Sequence, residues 1–337
     1  MKYCDICGTI NFKENNYCTH CGNKFVIEHI CPYCGCTNKN QATQCVKCRN
    51  QINPLRIDDF DILFSEYNIN LLSNADISDE EYNELLRNIF IRADYSEIYG
   101  IGIKERILSL ASVFTQCKSK SRGYERGYIF LDNCIYYDDR LDDSVQIATI
   151  IHELAHYFLF SIIESLLCHV LKVETSATLQ SFIWYFLTLP EFKIMNEYCA
   201  HTVEGRFIPY GYQNYGSFNL LVDRIGVDEE SLRDMVKLGN TFANEIIVYL
   251  EKYISEDLRQ DIKLQYRLDL NKQAFESILL ETDDAFPLNL KNTILLGVLC
   301  NILKEASDEN TRKELEEIRK GLNYLDFVEV EDSYFTG

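Results

Sequence analysis

Apolar residues recur at helical spacing through most of this chain. Between positions 145 and 170 they crowd together, with Val-Gln-Ile-Ala-Thr-Ile-Ile leading in and Tyr-Phe-Leu-Phe-Ser-Ile-Ile following. That density predicts one long helix buried on nearly every side. Upstream, 57–72, 78–93 and 104–117 alternate apolar and polar residues with a helical period, and Ser78 is placed to cap the second of them. Beyond Gly226 the same period predicts helices over 229–254, 271–280, 288–306 and 311–322. Two stretches, 127–132 and 134–138, are short, aromatic and β-branched and read as strands separated by Asn133. The remainder is connection: 50–54 reads as a linker, 118–123 as a basic polar loop able to border a site, and 329–337 as a loose acidic tail.

The apolar helix carries one polar insertion, His152-Glu153-Leu154-Ala155-His156. Residues four apart share a helical face, so His152 and His156 point together and Glu153 sits one step round the turn. Two imidazoles with an adjacent carboxylate form the H-E-x-x-H arrangement, in which both histidines hold zinc and the glutamate acts as general base. Two buried, hydrogen-bonded histidines beside a solvated glutamate are the alternative, but an apolar helix has little other reason to carry all three. Catalytic zinc takes three protein ligands. Asn196-Glu197-Tyr198-Cys199-Ala200-His201 follows, far enough along the chain for a second helix to return beside the first. Glu197 and His201 share a face of that helix, and Glu204 lies a turn further on.

At these residues the chain resembles the zincins whose third ligand is a glutamate, and within them the bacterial ImmA/IrrE-type peptidases. There a strand pair precedes His-Glu-x-x-His, and Glu-x-x-Ala follows on the next helix. The resemblance covers about 122–211. It implies Glu197 as third ligand of a catalytic zinc and an edge strand near 127–138 that pairs with extended substrate; two ordinary core strands fit those residues equally. His201 stands where relatives hold an aspartate that supports a ligand histidine. A neutral histidine there either accepts a hydrogen bond from a ligand imidazole or binds the metal itself.

The N-terminus carries a second motif. Cys4, Cys7, Cys18 and Cys21 form two C-x-x-C knuckles ten residues apart, and Cys31, Cys34, Cys45 and Cys48 repeat the spacing. Each set supplies four thiolates for a structural tetrahedral zinc, and together they look like a double zinc ribbon. Gly8, Gly22 and Gly35 follow the second cysteine of three knuckles, where a tight turn favours positive φ; Arg49 stands there in the fourth. Cys36 lies outside the spacing and reads as spare. Eight cysteines in such repeats, with further cysteines elsewhere among the 14, fit a reducing compartment better than a disulfide framework. So short a module cannot bury a core unaided, so its zinc is folding energy.

Charge then narrows the partners. Residues 1–50 hold six Lys/Arg against three Asp/Glu, and two tetrathiolate zinc sites would bring the module near −1; the rest holds 27 against 49, within a net −19. Without a basic block, phosphate-backbone affinity is not expected, although Lys39, Lys47 and Arg49 can form a small patch. Ribbons that dock a protein partner or recruit substrate are expected instead. Met1-Lys2-Tyr3 leads straight into the first knuckle with no signal peptide. The longest apolar run, 157–170, is interrupted by Glu164 and His169 and falls short of a membrane span. The expected location is the cytoplasm.

The expected architecture is α+β: a double zinc ribbon over 1–52, a mostly helical zincin-like metallopeptidase domain with a short β-sheet over 57–225, and a helical extension over 226–337. The expected activity is zinc-dependent endopeptidase cleavage of an intracellular protein or peptide, with one catalytic and two structural zincs. Glu153 is the base, and Tyr210, Tyr212 and Tyr215 are candidate oxyanion donors. Two other readings stay open: a non-catalytic, zinc-stabilised interaction protein, and a nucleic-acid-associated regulator acting through the ribbons. An intact Glu153 favours the enzyme, because a pure binder has no need of a base beside the metal.

Overall fold

The computed structural model describes residues 2–3, 10–11, 20, 28–31, 34–39, 45–49, 55–91, 100, 102–119, 127–129, 134–213, 215–270, 282–306 and 308–325. The first knuckle pair, the 50–54 linker, the 271–280 helix and the acidic tail fall outside them. The chain divides into two compact units, Met1–Arg56 with Lys172–Glu174, and Ile57–Leu171 with Thr175–Gly337.

Among the described residues, the first unit contains three two-stranded ladders. Strand β1 (Lys2–Tyr3) pairs antiparallel with β2 (Ile10–Asn11), and β3 (Glu28–Ile30) with β4 (Thr37–Lys39). Strand β5 (Leu55–Arg56) runs parallel to a late strand, β9 (Val173–Glu174). Around β4 the chain makes two like turns. Gly35 N–H bonds to Cys31 C=O at 2.9 Å, and Arg49 N–H to Cys45 C=O at 3.0 Å. Both turns close in the left-handed region, Gly35 at φ +68° and Arg49 at φ +65°. An arginine there carries a Cβ that crowds the backbone at a cost of about 1–2 kcal/mol. Arg49→Gly should therefore stabilise this unit by up to about 1 kcal/mol, the glycine's extra freedom when unfolded offsetting part of the gain; thermal unfolding of the zinc-loaded protein measures it.

The second unit is mostly helical. Helices α1 (Phe60–Leu63) and α2 (Glu66–Ser73) replace the single helix expected over 57–72. The break follows from side-chain capping: Asp59 Oδ1 accepts from Asp61 N–H and Ser65 Oγ from Asn68 N–H, so each starts a fresh helix. Helix α3 (Asp79–Phe90) opens, as expected, at Ser78 with a capping box closed by Glu81. After α4 (Ile103–Phe114) comes a three-stranded sheet. Part of the expected basic loop is strand β6 (Cys117–Ser119), which runs parallel to β8 (Ile135–Tyr137); β7 (Gly127–Ile129) pairs antiparallel with β8 on its other side. Its polar Cys-Lys-Ser sequence gives no alternating apolar signal because Lys118 and Ser119 are exposed. The strands at 127 and 135 stand where the sequence placed them.

Helix α5 (Asp143–Leu171) is the axis of this unit. Contrary to the expectation that its apolar run falls short of a span, it is long and apolar enough by length and composition to cross a membrane, its most apolar 18 residues having a mean hydropathy of 1.6. In the fold 72% of that stretch is buried, as in the core helix of a soluble domain. Phe158, on the face of α5 away from His156, packs against Phe90 of α3 at 4.4 Å and Phe114 of α4 at 4.8 Å. Helix α6 (Ala177–Thr188) and α7 (Pro190–Phe207) follow, separated by Leu189. Then come α8 (Gly216–Ile225), α9 (Glu229–Tyr253), α10 (Glu256–Leu270), α11 (Leu288–Glu305) and α12 (Glu309–Leu325). Ile194 and Tyr198 of α7 share one buried cluster with Phe218 and Val222 of α8 and Val236 of α9, which fixes the helix carrying Glu197.

A buried polar knot joins α3, α9 and α11. Lys291 is fully buried with Nζ 2.8 and 3.1 Å from the Glu245 carboxylate oxygens, and it also donates to the Tyr82 hydroxyl. Tyr82 in turn donates to Glu245 at 2.7 Å. Burial brings the Lys291 ammonium down to about 8 against the pull of Glu245. Lys291→Met leaves a carboxylate without its cation and should cost about 3–5 kcal/mol, a large part of it regained when Glu245→Gln is added. The sign with pH follows. The folded chain binds fewer protons at Lys291 than the unfolded chain between pH 8 and 10.5. This residue's contribution to stability therefore rises with pH across that window. Urea unfolding of wild type and Lys291→Met at pH 8 and below pH 10 isolates the slope.

Candidate metal centre

The motif lies at mid-length of α5, and its neighbours come from β7 and α7. Gly127 is a close-approach glycine: a Cβ there would stand 2.3 Å from Thr149 Cγ2 and 2.7 Å from Tyr136 C=O. Its absence lets edge strand β7 lie against α5 one turn before His152. The helical period of α5 then points His152, His156 and Phe160 the same way. They face a cavity of about 530 Å³, whose wall also includes Ile129, Glu153 and Glu197. That volume falls within the range of about 300–1,000 Å³ typical of ligand sites.

Three donor atoms converge there. His152 Nε2 and His156 Nε2 are 3.2 Å apart. Glu197 Oε2 is 3.7 Å from the first and 4.0 Å from the second. Tetrahedral zinc with bonds of about 2.0–2.1 Å would set donors about 3.3–3.4 Å apart, so small side-chain adjustments bring all three onto one ion. The outer ring nitrogens are also engaged. His156 Nδ1 lies 2.7 Å from Asn196 Oδ1, and His152 Nδ1 lies 3.0 Å from Glu204 Oε2. With Nδ1 donating to those oxygens, each Nε2 lone pair is left for a metal, the usual support for a ligand histidine.

His201 sits behind His152, its ring 4.6 Å away and inclined at 69°. Its Nδ1 is 3.5 Å from Glu204 and its Nε2 3.4 Å from the Ser217 hydroxyl. His152, Glu197 and His201 also bring one ligand atom each within 4.8 Å of one another, which makes a second possible trio. The two sets differ in position: His156 lines the cavity with His152 and Glu197, and His201 does not.

Electrostatics follow from three carboxylates packed among imidazoles. Burial lifts the Glu153 carboxyl above its ordinary range, against the pull of His152 and His156 and the Ile129 N–H it accepts. Burial also works to raise the Glu204 carboxyl, yet hydrogen bonds from His152 and His201 outweigh it and bring it down to about 2. Glu197 shows the same contest and ends well below its usual value. Burial disfavours the His152 cation, but Glu197 and Glu204 more than compensate, so its imidazole holds a proton more tightly than usual. A divalent cation at Nε2 can balance the same carboxylates in place of that proton.

The other sequence candidates scatter. Tyr210 is 95% exposed on a turn. Tyr212 packs edge-on against Tyr266, and Tyr215 meets the His201 ring at a tilt of 58°. None of the three lines the cavity. Asn196 and Glu204, the histidine supports, were not singled out for that work. Their signal was available: Asn196 adjoins Glu197, and Glu204 stands seven residues, two turns, beyond it on the same face.

A second metal-binding group lies in the first unit. Cys31, Cys34, Cys45 and Cys48 bring their sulfurs within 4.8 Å of one another. Cys31 and Cys48 Sγ are 3.6 Å apart, and Cys34 and Cys45 Sγ 3.5 Å, close to the edge of about 3.8 Å set by zinc–sulfur bonds of about 2.3 Å. Buried Asn38 ties the turns together: its Nδ2 donates to Cys36 C=O at 2.8 Å and toward Cys45 Sγ at 3.6 Å, and its Oδ1 accepts Val46 N–H at 2.8 Å. The Cys48 backbone N–H, with that of Lys47, lowers the Cys45 thiol to about 5 in spite of burial, which favours the thiolate a metal requires. Cys36 donates instead to Thr37 C=O and stays outside the group. Cys4, Cys7, Cys18 and Cys21 lie outside the described residues.

Both groups are compatible with zinc. Comparison with protein-family models, with curated proteins and with solved structures returns no match.

Proposed function

We propose that this chain is a zinc-dependent metallopeptidase with a zincin-like catalytic unit and N-terminal zinc ribbons that recruit substrate or a partner in a reducing cytoplasm. The observation that carries the reading is the convergence of His152, His156 and Glu197 on one cavity, each histidine braced from behind and Glu153 beside them. A chance pair of buried histidines needs neither the brace nor the cavity. His156 is preferred over His201 as ligand because both nitrogens of His201 already have polar neighbours and its ring does not line the cavity.

Zinc bound to this trio supplies Lewis acidity, polarising the scissile carbonyl and acidifying water. The chain's own groups do the remainder. Glu153 takes a proton from the attacking water and delivers it to the leaving amine nitrogen as the C–N bond breaks. Ile129 N–H and burial hold its carboxylate in place for both transfers. Strand β7, at the edge of the described sheet, borders the cavity and can align an extended peptide beside the histidines. In the zinc ribbons, thiolates and metal supply the folding energy that so small a core cannot.

Hydrolysis of an unfolded protein substrate by the zinc-loaded chain, abolished by a chelator and restored by zinc, tests the reading. A fully metallated chain that cuts no peptide, with Glu153 intact, would instead mark a peptide-binding module.

A further inference from the structure

Away from the histidines the cavity changes character. The next turns of α5 contribute Tyr157 and Phe160, and α6 contributes Trp184 and Leu187. Phe160 and Trp184 rings meet at 5.4 Å. This wall is aromatic and apolar, and a large side chain entering it leaves water. Lys193 of α7 also lines the cavity, one turn before Glu197 on the same helical face. Among the described residues lining the cavity it is the only lysine or arginine. It is exposed, and among the described residues no carboxylate lies within ion-pairing distance of it, Glu197 included. In a chain of net charge −19, a lysine on the wall of the cavity is a local positive charge set beside carboxylates rather than neutralised by one.

We propose that Lys193 is a specificity-determining residue that receives a substrate carboxylate, while the aromatic wall receives a large apolar side chain immediately before it. The favoured peptide thus carries an aromatic or long aliphatic residue followed by a negative charge, either an acidic side chain or the peptide's own C-terminal carboxylate. The proposal rests on the metallopeptidase reading for what happens to the bound peptide, but not for the binding preference itself.

Trp184 is the only tryptophan in the chain, so its fluorescence reports occupancy of this wall without any turnover. The zinc-loaded full chain is titrated with acetyl-Gly-Phe-Glu-amide against its Gln counterpart, and with acetyl-Gly-Phe as free acid against its amide. Versions with Ala for Phe serve as controls. At least one carboxylate probe should bind about fivefold tighter than its neutral partner, the upper worth of an exposed ion pair, and the arm that shows it identifies the carboxylate's source. Lys193→Gln should erase the preference, Lys193→Glu should invert it, and Ala for Phe should weaken every probe. Equal affinities in wild type, a preference that survives Lys193→Gln, or no fluorescence response to any probe would overturn the proposal. Peptide cleavage measured alongside separates the two ideas. Cleavage with no carboxylate preference sinks only the specificity assignment, and a preference with no cleavage sinks only the peptidase.

Discussion

Glu153→Gln will leave zinc bound and reduce peptide turnover by about 10²–10⁴-fold, the usual worth of general acid–base catalysis. The substitution keeps size and shape but cannot accept a proton. Glu153 is 7% exposed, lines the cavity beside both histidines and has its carboxyl lifted by burial, which moves its affinity for protons toward that of a working base. It is not one of the three converging donors, so metal content is expected to hold. Single-turnover cleavage at matched zinc occupancy measures the effect. Turnover at the wild-type rate would remove Glu153 from the chemistry, whatever the metal does.

Glu197→Ala should empty the proposed histidine zinc site, and substitutions behind the histidines should only loosen it. Losing one ligand of three leaves two imidazoles 3.2 Å apart to hold the ion alone. Asn196→Ala and Glu204→Ala remove instead the oxygens 2.7 and 3.0 Å from His156 and His152 Nδ1. Such supports are worth about 10–100-fold in metal affinity. His201→Ala acts through Glu204 and belongs with this weaker group. Competition for zinc against a chelator of known affinity ranks the four. Full zinc in Glu197→Ala with none in His201→Ala would transfer the third ligand to His201, the other trio that the geometry allows.

Much of this site could be read from spacing. A helix of period 3.6 fixes which residues share a face, so the pairing of His152 with His156 and the alignment of Glu197, His201 and Glu204 needed no structure. What spacing cannot supply is the angle at which α7 crosses α5. That angle decides that Glu197 reaches the Nε2 side while Glu204 reaches the Nδ1 side of His152. Helix α6 was not anticipated because its Ser-Phe-Ile-Trp-Tyr-Phe-Leu run is apolar on nearly every side and shows no period. The break between α1 and α2 was hidden for a different reason: capping by Asp59 and Ser65 is worth about 1 kcal/mol each and overrides a continuous apolar pattern. Chain position after α7 puts the three tyrosines near the site, but the turn around Gly211 carries Tyr210 into solvent.

Zinc content per chain decides whether the histidine cluster holds a metal of its own. Wild type and His156→Ala are purified without chelators and analysed for metal and protein together. His156→Ala should carry one zinc fewer, with the thiolate-bound zinc undiminished, because Cys31, Cys34, Cys45 and Cys48 share no ligand with the histidine centre. Equal zinc in both proteins would mean that His156 holds no metal and that the histidine centre is not a zinc site.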